Sequence, residues 1–105
     1  MTIEQLRQAI DRGCYRVTRH ARNEAWADAL LMEDVCHSVL HGEVIEDYPT
    51  DKPFPSCLVL GHGREGSAIH SVWAYNGATE TAVVVTVHRP DPDRWIDFRA
   101  RRSKP

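Results

Sequence analysis

Three histidines stand where a fold can gather polar groups, and arginines lie close to them in the chain. His20 follows Thr18 at the start of a helical pattern, His70 interrupts an apolar run, and His88 closes a valine-rich stretch beginning at Thr81. Imidazole exchanges protons near neutral pH and guanidinium binds anionic oxygens. His20, His70 and His88 are therefore candidate catalytic acids or bases, with Arg16, Arg19, Arg89 and Arg94 as candidate substrate-binding cations. A hydrogen-bonded core or surface position competes with that role for each histidine, and is the commoner use of the residue.

Other constellations are weaker. His37 and His41 are four apart, the helical spacing at which two imidazoles can share a metal ion, but no third ligand accompanies them and a helix C-terminus favours histidine anyway. No metal and no small-molecule cofactor is expected. Glu46 and Asp47 alternate across a strand, so they are not the paired carboxylates of a glycosidase. Trp73 and Tyr75 share a parity and could stack on bases, a role that competes with ordinary core packing. Gly61, Gly63 and Gly66 join two strands, whereas a phosphate-binding loop needs a helix after it.

The elements that must position these residues can be read in order. Thr2 to Gln5 has capping-box spacing, and Ile3, Leu6 and Ile10 follow at helical intervals up to Gly13. Residues 14–17 read as a connector or brief strand. Thr18 caps a second helix through about Ala29, with Ala21, Ala25 and Ala29 forming a narrow stripe that allows close approach to a sheet. A third helix carries Met32, Val35, Cys36, Val39 and Leu40 on one face and ends at Gly42.

Strand-like segments follow at 43–48, 56–60, 68–75 and 81–89, bounded by Pro49, the Pro53-Phe-Pro55 bridge, a glycine-rich turn and Asn76-Gly77. In the last, Val83, Val85 and Val87 share one parity and Ala82, Val84 and Thr86 the other, which predicts a central strand buried on both faces, with Val83, Val85 and Val87 in the core. Pro90 and Pro92 end it. The expected fold is α+β: a four-stranded antiparallel meander with the N-terminal helices packed on one face.

The chain of 105 residues suits one domain over 1–105, with a basic tail at 99–105 expected to fray. Neither a membrane span nor a signal segment is evident, and Cys14, Cys36 and Cys57 are odd in number and widely spaced; the expected location is cytoplasmic. The net charge of −2 conceals an asymmetry: residues 1–22 carry five arginines against two acids, 23–51 carry eight acids and no Lys or Arg, and 88–105 carry six basic groups against three acids.

Taken together, His20-Ala21, Glu33-Asp34-Val35, the run from Gly42 to Pro49, Pro55 to Gly61, His70, and Thr86 to Trp95 resemble a family of small bacterial proteins catalogued as a domain of unknown function. The resemblance covers nearly the whole chain after Cys14. It implies a fold similar to the RelE-like toxins, within the barnase, EndoU, colicin E5 and RelE group of ribonucleases, and a toxin role beside a small zinc-finger antitoxin of the MqsA type. It further implies an RNA substrate, cleaved without metal when the 2′-hydroxyl attacks the neighbouring phosphate, a reaction that needs a base, an acid and a cation. The sequence departs from the family at Glu24 and Asp28, where the pattern carries arginine, and at His88, where it carries tyrosine. A non-catalytic module that binds a protein through the acidic helical segment is the alternative reading.

Overall fold

In the computed structural model, which describes residues 1–103, three helices cover one face of a five-stranded mixed sheet. The first helix, α1 (Ile3–Asp11), opens with the capping box: Thr2 accepts from the Gln5 amide, and the Gln5 side chain accepts from the Thr2 amide. Strand β1 (Tyr15–Val17) leads into α2 (Arg19–Ala27), which Thr18 caps by accepting from the Ala21 amide, and α3 (Met32–Leu40) follows. Strands β2 (Glu43–Tyr48), β3 (Ser56–His62), β4 (Ala68–Asn76) and β5 (Thr81–His88) form the antiparallel meander.

Two features correct the expected sheet. It has five strands rather than four, and it is mixed, because β1 pairs in parallel with β5, giving the order β1-β5-β4-β3-β2. Three residues are too few to show a hydrophobic period, and a parallel partner 67 positions along the chain leaves no local signal (Tyr15 opposite Ala82). β4 is thus the middle strand, while β5 is flanked by β4 on one side and β1 on the other.

The second correction concerns the face of β5. Val72 lies opposite Thr86 and Trp73 opposite Val84, so Val85 is an extra residue with no partner on β4. This bulge shifts the alternation by one. Ala82, Val84 and Val87 are fully buried toward the helices, in line with the expected burial, whereas Val83 and Val85, expected in the core, are only half-buried.

The core on the helical side joins Leu6, Ala21, Ala25, Val35 and Val39 to Val59, Ile69, Trp73, Val84 and Val87. Small residues let the helices sit close to the sheet. A Cβ added at Gly61 on β3 would lie 2.0 Å from the Ser38 carbonyl oxygen of α3, and one added at Gly42 would lie 2.2 Å from the same atom. Alanine at 21 and 25 does the same for α2 against β5.

Past the prolines, the chain does not simply trail away. β6 (Trp95–Ile96) and β7 (Ala100–Arg101) form a short antiparallel ribbon, turned through Asp97 and Phe98, both at positive φ. The expected fraying of 99–105 falls partly on Lys104 and Pro105, outside the described residues; within them, Arg99 and Arg101 pair with Glu43 and Glu46 of β2. No helix among the described residues is long and apolar enough to cross a membrane.

Candidate functional site

The face of the sheet turned away from the helices carries a polar cluster roofed by the β6–β7 ribbon. Strand register builds it. Leu60, His70 and His88 lie abreast on β3, β4 and β5, and Glu46, Leu58, Val72 and Thr86 form the next row. Tyr48 follows on β2, at the end of its strand before Pro49.

His70 is completely buried. Its Nε2 lies 2.6 Å from the Phe98 carbonyl oxygen, an acceptor, so Nε2 carries the proton and donates. Nδ1 is then a bare acceptor, buried without a partner. Burial holds the His70 pKa below the usual histidine value; the Phe98 carbonyl works against this and the neighbouring His88 works with it. The Trp95 indole and the His70 ring pack perpendicular to each other, 4.5 Å between centroids and at 90°, and the His88 ring stands 5.4 Å from that of His70. The Arg101 guanidinium lies 4.7 Å above the Trp95 ring.

Arg101 also binds Glu46 through two nitrogens, at 2.8 and 3.1 Å. That hydrogen bonding holds the Glu46 carboxyl below its usual pKa. The Tyr48 hydroxyl donates to the same carboxylate, and its own pKa is raised by burial and by that bond. A cavity of about 360 Å³ opens beside this arrangement, with Tyr48, His88, Arg94, Trp95 and Arg101 among its lining. Leu58 and Val72 form its apolar floor.

The expected site residues do not all meet here. His88 and Arg94 line the cavity, the latter in a loose pair with Asp91 at 3.9 Å. His70 lies behind Trp95 and faces Phe98. Arg89 borders the cavity, but its guanidinium donates to the carbonyls of Asp28 and Ala29 at the end of α2, where the helix dipole favours a cation. His20 is exposed on α2, 3.3 Å from Glu24, and does not line the cavity. Arg16 and Arg19 lie on the β1 side of the sheet, in and just after that strand, and are also absent from the cavity lining.

Sequence reasoning did not single out Tyr48, Trp95 or Arg101 as site residues. Trp95 and Arg101 sit in a proline-punctuated, basic segment without periodicity, and their placement depends on the ribbon folding back over His70. Tyr48 carried a weak signal as an aromatic residue at a proline-terminated strand end. Among the described residues no group of three or more His, Cys, Asp or Glu is arranged to hold a metal, and His37 instead places Nδ1 3.1 Å from the His62 carbonyl.

Searches among curated proteins and among solved structures returned no match. A protein-family model does match, over residues 17–89, which runs from the end of β1 through the whole meander to the edge of the cavity at Arg89. The chain therefore belongs to the family described as domain of unknown function DUF4258.

Proposed function

We propose that this chain is a RelE-like endoribonuclease that binds single-stranded RNA over the open face of its sheet and cleaves it without metal, acting as the toxin of a toxin-antitoxin pair. The observation that carries the reading is the cavity where His88 opens beside Arg94, Arg101 and Tyr48. His88 accepts the proton of the 2′-hydroxyl as that oxygen attacks phosphorus. The bond from phosphorus to the 5′-oxygen breaks, and that oxygen takes a proton from water in the open cavity, leaving a 2′,3′-cyclic phosphate and a 5′-hydroxyl. Arg94 and Arg101 offset the charge that builds on the phosphate oxygens. Tyr48, half-buried at the rim, supplies apolar surface for a base. His70 enters as a positioning residue, since its bond to Phe98 fixes the ribbon that carries Trp95 and Arg101. The toxin role and the zinc-finger partner rest on the family resemblance.

A specific observation favours the non-catalytic alternative. Arg89 is bound to the carbonyls of Asp28 and Ala29 and Arg101 to the Glu46 carboxylate, so two of the cations around the cavity are already engaged. Purified protein, freed of any partner, incubated with labelled single-stranded RNA in the presence of chelator decides between the two. The nuclease reading expects cleavage with cyclic-phosphate ends that falls about 100-fold or more in His88→Ala while the melting curve is kept. Intact RNA with wild-type protein in excess would leave the binding module standing.

A further inference from the structure

The arginines divide into two groups. Arg7 and every arginine from Arg64 onward bind a carboxylate or a carbonyl. Arg12, Arg16, Arg19 and Arg22 make no side-chain hydrogen bond or ion pair among the described residues. The uncompensated charge is therefore concentrated at β1 and the start of α2. Two of these cations, Arg16 and Arg22, stand on the walls of a groove of about 890 Å³ that lies on a different side of the molecule from the His88 cavity and shares no lining residue with it.

The groove has two further properties. Its apolar wall is exposed to an unusual degree: Trp26 is 88% and Leu31 58% accessible, beside Leu30 and Met32. Large apolar side chains left open in this way next to polar ones mark contact surfaces. The opposite wall is the free edge of a sheet. Cys14 accepts from the Ala82 amide and the Thr18 amide donates to Val84, so in a parallel ladder the groups of Arg16 between them face β5. The amides and carbonyls of Tyr15 and Val17 then point outward, into the groove. Since β1 ends the sheet, they have no strand partner.

We infer that this groove takes an acidic, extended peptide segment of a partner protein, which adds as a sixth strand beside β1. Its backbone exchanges hydrogen bonds with Tyr15 and Val17, an apolar side chain packs on Trp26 and Leu31, and its carboxylates meet Arg16 and Arg22. A nucleic acid would use the cations and Trp26, and its phosphate oxygens can accept from the edge amides, but it does not match the alternating amides and carbonyls of a strand edge and has nothing apolar for the aliphatic floor. The inference is independent of the reading given to the His88 cavity.

The test is selection of a displayed library of random nine-residue peptides on the intact protein, followed by affinity measurement with the enriched peptides synthesised and labelled. The expected result is enrichment of sequences that alternate Asp or Glu with apolar residues. Their affinity falls at least 10-fold in Trp26→Ala and in the Arg16→Glu, Arg22→Glu double variant, and is unchanged in Arg12→Glu, which alters a free arginine outside the groove. Bound peptide also slows hydrogen exchange at the Tyr15 and Val17 amides. Failure to enrich, enrichment of sequences without acidic residues, or peptide affinity that survives both groove variants overturns the inference. So does a labelled single-stranded RNA that binds wild type, is lost in the groove variants, and is not displaced by any enriched peptide.

Discussion

The Glu24 carboxylate accepts a hydrogen bond from the amide of Val87, 3.2 Å away and 63 positions later in the chain. One helical turn on, Asp28 accepts from the Arg89 amide at 2.9 Å. Beyond Val84, β5 has no strand on this side, and the acidic face of α2 takes the place of one. Glu24 and Asp28 are thus structural acceptors in this chain. Glu24→Ala should cost about 1–3 kcal/mol, the range for stranding a part-buried amide that had a charged acceptor. Urea unfolding measures it, and an unchanged midpoint would mean that water serves the Val87 amide equally well. Glu24→Arg with Asp28→Arg should lose more than Glu24→Ala, so any activity test of that pair needs a melting curve beside it.

Acid should weaken the attachment of the ribbon. Burial depresses the His70 pKa in the folded chain below the ordinary value of 6.5, so the unfolded chain binds the proton more readily. The contribution of neutral His70 is therefore complete above about pH 6.5 and is lost as pH falls from there toward the folded-state pKa. Thermal melts between pH 8 and pH 5 should show this decline, and His70→Gln should flatten it. An equal slope in both proteins would assign the decline to other groups.

Gly61→Ala should destabilise the domain by roughly 1–3 kcal/mol, the usual cost of overpacking. The new methyl would meet the Ser38 carbonyl at 2.0 Å, and backbone cannot rotate aside as a side chain can. Calorimetry of the variant checks it. Gly77→Ala is the control, since nothing lies within 4 Å of a Cβ there.

Val84→Ala should cost about 1–3 kcal/mol, because Val84 is fully buried and leaves a cavity. Val85→Ala removes the same two methyl groups from a half-buried bulge and should cost clearly less. Paired denaturant melts give the order directly. A reversed order would place the core parity where simple alternation put it.

Much of the fold was legible because it is local. The capping box at Thr2, the Thr18 cap and the proline and glycine stops give three helices and four strands at nearly their expected bounds. What was not legible depends on partners distant in the chain. Pairing of Tyr15–Val17 with β5, the extra residue at Val85 and the return of the ribbon over His70 have no periodic signature. The site suffers most from this. Of the histidines, His88 could be placed at a strand end, but whether His70 faces solvent or the Phe98 carbonyl is decided by a segment 28 residues away.

The bulge at Val85 also marks a place where this chain can vary in length. An unpaired residue in a strand looks like the one that could be dropped at least cost. Dropping it here would join Val84, opposite Trp73, directly to Thr86, opposite Val72, in strict alternation and leave everything that follows on its present face. Val87 would stay in the core opposite Ser71 and His88 on the open face opposite His70, and the Thr18 hydroxyl would lose the Val85 carbonyl to which it donates. A single deleted codon at this position would therefore keep the inside and outside of the strand's end, whereas an inserted one would exchange them unless the strand bulged a second time.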